Sequence, residues 1–236
     1  MKKKPKTAMV LAAGLGVRLR PLTLTCPKPL LPIVGEPILH IALRSLKREG
    51  FSKVVINLHH LGHMIKESVG DGSAFGLEVF YSEEDKILGT GGGIKAAQHL
   101  LGADTFMVIN SDIITDAPFA EIWDYHLKMG GVATLVVKDD PSLTGWGAIK
   151  IDENGRLRQI LGKPGYRGAL KSSLFTGIQV LEPIFFDFLE PGKKASSTQD
   201  VYPVMLEKGY AIYCFEYFGR FVDIGTSEGY EKAKNT

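Results

Sequence analysis

Over the first two thirds of the chain, short apolar runs alternate with longer amphipathic stretches, and few architectures accept that alternation. Residues 7–11, 54–57, 78–81, 106–110 and 133–137 are short and rich in β-branched or aromatic side chains, the composition of buried strands. Between them, residues 38–49, 60–69, 94–101 and 119–129 repeat apolar side chains at three- and four-residue steps, the helical period. Gly50, Gly70, Gly102 and Gly130 stand just past these stretches, where a helix ends on a residue that accepts positive φ. The pattern predicts βα units feeding a mostly parallel sheet, a Rossmann-like three-layer α/β sandwich.

After Gly145 the rhythm changes. Residues 147–151, 156–161 and 174–181 read as strands with little helix between them, and Asn154-Gly155 is a hairpin signal because both residues tolerate positive φ. Residues 165–171 read as a polar loop. The chain closes with a helix over about 200–207, a strand at 211–215 and a helix beginning near Ser227. A chain of 236 residues with 44% apolar and 23% charged side chains fits one domain over 1–236, with a βα half at about 6–140 and a small β-rich lobe at about 141–226.

Charge narrows the function classes. With 28 basic against 26 acidic residues the net charge is +2, too balanced for a nucleic-acid footprint, and Lys2, Lys3, Lys4 and Lys6 read as a solvated tail. Cys26 and Cys214 lack the spacing of a zinc site or a disulfide framework. No apolar run approaches the roughly 20 residues that span a bilayer, and residues 8–13 are too short for a signal-peptide core. The expectation is a cytoplasmic protein without nucleic-acid or membrane partners.

The strongest local signal directly follows the first strand: Leu11-Ala12-Ala13-Gly14-Leu15-Gly16-Val17-Arg18-Leu19-Arg20-Pro21-Leu22-Thr23. Small residues at 12, 13, 14 and 16 let backbone N–H groups approach a phosphate, and Arg18 adds a permanent cation. A dinucleotide fingerprint would need glycine where Leu19 stands, and no GxxxxGK[ST] string occurs. Further on, Cys26-Pro27-Lys28-Pro29-Leu30-Leu31-Pro32 stiffens the backbone around Lys28.

Together, Gly-x-Gly-x-Arg-x-x-Pro-x-Thr and the following Pro-Lys-Pro with its later Pro closely resemble the sugar-1-phosphate nucleotidyltransferase family, over nearly the full chain. Leu88, Thr90-Gly91-Gly92-Gly93-Ile94 and Phe175-x-Gly177-Ile178 look most like its N-acetylmuramate-1-phosphate uridylyltransferase members. The resemblance implies the nucleotide-diphospho-sugar transferase type of α/β sandwich, with the β-rich lobe taking the sugar. It also implies a nucleoside triphosphate and a sugar 1-phosphate as partners, Mg²⁺ as cofactor, and a reaction that releases pyrophosphate.

Site residues follow from the same resemblance. Leu11, Ala12, Ala13, Gly14, Gly16, Arg18 and Lys28 are expected at the nucleotide, with Arg18 and Lys28 neutralising its phosphates, and Glu84 and Gly89 near the base. The family's Gly-Asp metal element appears as Asn110-Ser111-Asp112, and its Trp-x-Asp-x-Gly-Thr as Phe221-Val222-Asp223-Ile224-Gly225-Thr226, so Asp112 and Asp223 are the expected Mg²⁺ ligands. Asn110, Gly147 (beside Trp146), Lys163 and Gly177 are expected at the sugar. Gly162 stands where the family carries glutamate before Lys163-Pro164, which argues for an altered or bulkier sugar than glucose. His59, His60 and His63 read as loop or helix-surface residues rather than metal ligands. The chain stops soon after Asp223, so the hexapeptide-repeat extension of larger relatives, and with it acetyltransferase activity, is not expected.

Overall fold

The computed structural model describes residues 6–139 and 148–235. Its strands are β1 (Lys6–Leu11), β2 (Pro32–Ile33), β3 (Glu36–Pro37), β4 (Phe51–Leu58), β5 (Glu78–Glu83), β6 (Phe106–Asn110), β7 (Ile113–Thr115), β8 (Ala133–Lys138), β9 (Ala148–Ile151), β10 (Leu157–Ile160), β11 (Lys171–Leu181), β12 (Ile212–Glu216) and β13 (Phe221–Asp223). The α-helices are α1 (Ile38–Arg48), α2 (Gly62–Val69), α3 (Gly89–Ala96), α4 (Gln98–Leu101), α5 (Phe119–Met129), α6 (Tyr202–Glu207) and α7 (Ser227–Lys234).

The order β5-β4-β1-β6 is parallel, as the alternating pattern predicts, and β12 pairs parallel to β8. The antiparallel β11 joins the two parts: its C-terminal residues pair with β6 and β8, its N-terminal residues with β9 and β8, and β9 pairs with β10. β11 begins at Lys171, three residues before the strand the sequence predicts, because those residues complete a ladder with β9 that periodicity alone does not reveal. Of the Asn154-Gly155 pair only Gly155 takes positive φ, 72°.

Strand alternation sorts the core onto two faces. Ala8, Val10, Val54, Ile56, Met107 and Ile109 face α1, α2 and α5, while Met9, Val55, Phe106 and Val108 face α3, α4, α6 and the residues around Phe185 and Phe186. Gly50, Gly70, Gly102 and Gly130 all take positive φ. A third, smaller cluster of Leu19, Leu31, Ile33, Ile38, Ile114, Val222, Ile224 and Tyr230 lies apart from both. It ties together the segments carrying Arg18, Asp112 and Asp223.

Two helices differ most from their predicted extents. The run 89–93, expected to precede the third helix, forms the first turns of α3, and that helix gives way at Ala97 to the short α4. Ser197–Val201 form a π-turn that carries the chain into α6, so the helical segment starts ahead of Asp200. Among the described residues no helix is long and apolar enough to cross a membrane.

Candidate active site

β1 runs on to β4 on one side and pairs with β6 on the other, so the strand order reverses between β1 and β6, the place where open α/β sheets leave a crevice at their carboxyl ends. The crevice opens at the register pair Leu11 and Asn110. A cavity of about 220 Å³ lies there, lined by Leu11, Ala12, Ala13, Gly14, Lys28, Pro29, Asn57, Glu84, Ile87, Gly89, Thr90, Asn110, Ser111 and Asp112. A second cavity, of about 190 Å³, shares Leu11, Thr90 and Asn110 with the first and adds Phe175, Gly177, Gln179, Ser196, Ser197 and Thr198.

One buried amide organises the first cavity. Asn57, at the end of β4, accepts the backbone N–H of Ala12 at 2.7 Å and donates Nδ2–H to Glu84 Oε1 at 2.7 Å. The second Glu84 oxygen accepts the backbone N–H of Leu88 at 2.9 Å, just ahead of α3. The loop after β1, the loop after β5 and the start of α3 are thereby fixed to one another. Each Glu84 oxygen is held by a protein donor and keeps a further lone pair. His59 and His60 are committed to backbone carbonyls, of Glu84 at 2.7 Å and Thr23 at 2.8 Å, and among the described residues no three or more His, Cys, Asp and Glu side chains gather as metal ligands would.

The glycines of α3 are there for space. The N–H groups of Gly91 and Gly92 both reach Ala195 O, at 2.9 and 3.2 Å, and Thr90 Oγ1 accepts from the Ser197 N–H at 2.9 Å. A Cβ on Gly92 would lie 2.6 Å from Lys193 O, and one on Gly93 would lie 2.7 Å from Glu84 Oε1 and 2.8 Å from Asn57 Nδ2. The segment 193–198 therefore rides directly on the helix and becomes a wall of the second cavity. Sequence reasoning missed this wall, and its only trace is a run of glycines denser than a helix start requires.

Acidic and basic groups gather at one side of the first cavity. β13 pairs with β7, setting Asp223 opposite Ile113, and the Ile224 N–H bonds Asp112 O at 3.0 Å, so the two carboxylates occupy neighbouring strand ends. Lys28, held in the single helical turn Lys28–Leu30, donates to Asp112 Oδ2. Burial, and next the charge of Asp112, push the Asp223 carboxyl above its ordinary value, against the Gly225 N–H, Lys28 and Arg18, which favour the anion. Arg18 does not line the cavity: it lies at the Asp223 side, where a Cβ on Gly225 would be 2.7 Å from its Nη2 and 3.0 Å from Asp223 Oδ1. Two adjacent carboxylates, one raised by burial and then by the other's charge, are a donor set that could hold a hard divalent cation with substrate oxygens completing its shell.

Of the other expected residues, Gly16 supports the loop instead of lining the cavity: it takes φ 62°, and its carbonyl accepts from Thr23 Oγ1 at 2.8 Å. Asn110 and Gly177 line the second cavity and touch closely, since a Cβ on Gly177 would fall 2.3 Å from Asn110 Nδ2. Lys163 is exposed beyond β10 and lines neither cavity, and Trp146 and Gly147 lie outside the described residues.

A crevice at the sheet's switch point, floored by a glycine-rich loop and flanked by paired carboxylates and cations, defines a phosphate-handling α/β protein. The family model for nucleotidyl transferases matches residues 7–236, and the chain belongs to that family. It is 32% identical to the UTP–glucose-1-phosphate uridylyltransferase of Synechocystis sp., covering 96% of this chain and 62% of that protein. It is 37% identical to the N-acetylmuramate alpha-1-phosphate uridylyltransferase of Neisseria meningitidis serogroup B, covering 80% of each. It is 33% identical to the mannose-1-phosphate guanylyltransferase of Mycobacterium tuberculosis, covering 94% of this chain and 62% of that protein. The chain thus spans about three fifths of the length of the first and third of these relatives. Among solved structures, HddC from Yersinia pseudotuberculosis superimposes with a TM-score of 0.80 at 26% identity, covering 98% of both chains.

Proposed function

We propose that this protein transfers a nucleotidyl group from a nucleoside triphosphate to a sugar 1-phosphate, releasing pyrophosphate, with UTP and N-acetylmuramate 1-phosphate as the preferred pair. The observation that carries this reading is the pair of adjoining cavities sharing Leu11, Thr90 and Asn110, with Asp112 on the wall of the first. Two substrates in two cavities that meet at the β1 and β6 strand ends would bring an acceptor phosphate beside the α-phosphorus.

The reaction needs no protein nucleophile. An anionic oxygen of the sugar phosphate attacks the α-phosphorus in line, the new P–O bond forms, and the bond to the pyrophosphate oxygen breaks. The protein's work is alignment and neutralisation. Ala12, Ala13 and Gly14 line the cavity floor, where the N–H groups of Ala13 and Gly14 would face the nucleotide while that of Ala12 is held by Asn57. Lys28 and Arg18 carry fixed positive charge to the phosphate side. Asp112 and Asp223 would hold Mg²⁺, which when bound neutralises phosphate charge and draws the two reactants together. Glu84 and Gly89 border the base, and Asn110 and Gly177 border the sugar. Lys163 is assigned to the sugar phosphate on the motif match alone.

A second reading, GTP with mannose or heptose 1-phosphate, is favoured by the 33% identity to a mannose-1-phosphate guanylyltransferase. Pyrophosphate release with Mg²⁺, measured for four triphosphates against N-acetylmuramate, glucose, mannose and heptose 1-phosphates, decides between them. UTP with N-acetylmuramate 1-phosphate is the expected pair. GTP with mannose or heptose phosphate moves the protein to the second reading, and no release with any pair refutes transferase activity and leaves a non-catalytic nucleotide-sugar sensor.

A further inference from the structure

Of the buried polar side chains on β11, Ser173, Thr176 and Gln179, the last is set among apolar residues beside Tyr202. Ile178 and Val180 face one core, and Leu181 faces the other, where Gln179 meets Tyr202. Gln179 is 2% exposed, sits just past the irregularity in the ladder between Phe175 and Gln179, and pairs in register with Val108 and Leu135. A buried primary amide in such surroundings is costly unless both of its ends are used. One end is: the hydroxyl of Tyr202, itself wholly buried, donates to Gln179 Oε1. Burial pushes the Tyr202 phenol well above its ordinary value, so it stays protonated and keeps donating. That bond holds the carbonyl end of the amide toward Tyr202 and turns the nitrogen end the other way. Among the described residues Nε2 has no partner, and Gln179 lines the second cavity.

The same cavity holds a second uncommitted group. Ser197 is 2% exposed, lines the cavity, and its Oγ has no partner among the described residues. Ser196 and Thr198 flank it, sharing a hydroxyl hydrogen bond of 3.2 Å, and the Phe175 ring forms part of the wall. An amide N–H donor, a hydroxyl that can accept, and an aromatic surface are the complement of an acetamido group, with its carbonyl oxygen, its N–H and its methyl.

We propose that Gln179 is a specificity-determining residue that donates its amide N–H to the acetamido carbonyl of the sugar 1-phosphate, with Tyr202 as the positioning residue that fixes the amide's orientation. The proposal rests on the reading of the second cavity as the sugar site.

The test uses the full chain and steady-state pyrophosphate release with N-acetylmuramate, N-acetylglucosamine and glucose 1-phosphates for the wild type, Gln179→Leu, Gln179→Glu and Tyr202→Phe. The wild type should prefer the acetamido sugars. Gln179→Leu should raise KM for those sugars about tenfold to a hundredfold, leave KM for the triphosphate within about twofold, and bring the acetamido-to-glucose ratio of kcat/KM toward one. Gln179→Glu, which sets an acceptor against an acceptor, should do the same or more. Tyr202→Phe keeps the packing and frees the amide to turn, so it should move the same ratio in the same direction by less.

A wild type that prefers glucose 1-phosphate, or a ratio unmoved in all three variants, overturns the proposal while leaving transferase activity intact. If the wild type releases no pyrophosphate with any pair, the failure belongs to the proposed function. Calorimetric binding of UDP-N-acetylglucosamine against UDP-glucose to the same proteins then decides on Gln179: equal affinities in wild type and Gln179→Leu would overturn its role.

Discussion

Gly93→Ala sets two physical effects against each other. Gly93 sits inside α3, where replacing glycine with alanine ordinarily stabilises a helix by about 1 kcal/mol. Here the new Cβ would fall 2.7 Å from Glu84 Oε1 and 2.8 Å from Asn57 Nδ2. Those atoms cannot swing aside freely, because Asn57 also holds the Ala12 N–H and Glu84 also holds the Leu88 N–H. Parting the pair loses a buried hydrogen bond to a charged group, about 1.5–3 kcal/mol, and overpacking adds about 1–3 kcal/mol. Contact outweighs propensity, and the net destabilisation expected is about 3 kcal/mol, or roughly 6–12 °C in Tm for a chain of this length. Thermal melts of the wild type, Gly93→Ala, Asn57→Ala and the double variant measure it. Asn57→Ala removes one of the groups the methyl strikes, so the cost of Gly93→Ala should shrink by at least about 1 kcal/mol in that background. A Tm at or above the wild type in Gly93→Ala, or full additivity in the double variant, would refute the steric argument.

Other expectations follow from the same geometry. Gly225→Ala pushes on the Arg18 guanidinium and the Asp223 carboxylate; because the Arg18 side chain is exposed and can move, stability should hardly change while kcat/KM for pyrophosphate release falls at least about tenfold. Asp112→Ala and Arg18→Ala should each lower kcat/KM by more than about tenfold, and a smaller loss in either removes its assigned role. His126, 1% exposed between Thr134 and Glu182, is pushed by burial below the ordinary histidine value of 6.5, the charge of Glu182 opposing only in part. The unfolded chain then takes up this proton before the folded one, so stability is present above that value and is lost as pH falls through it. Melts from pH 7.5 to 5.5 should show the decline, and His126→Gln should flatten it; an unchanged slope would acquit His126.

The βα rhythm, the helix-ending glycines and the loop after β1 were legible in the sequence because each is a local property. Strand and helix periods, φ preferences and the room left by a run of small residues are set by residues a few positions apart. The motif residues Leu11, Ala12, Ala13, Gly14, Lys28, Glu84, Gly89 and Asp112 converge on one cavity for a related reason: they stand at the carboxyl ends of consecutive strands or in the loops that follow. What the sequence could not disclose is contact between distant segments. Asn57 joins Ala12 to Glu84 across 45 and 27 positions, and Thr90 meets Ser197 across 107. The glycines of α3 advertise close packing without naming the partner, and Gln179 reads as an ordinary polar residue until Tyr202 is seen to hold one end of its amide. Local chemistry chose the elements and the class of loop. Only tertiary packing decided which buried polar groups are paired with each other and which are left facing a cavity, because that pairing depends on residues the chain brings together from far apart.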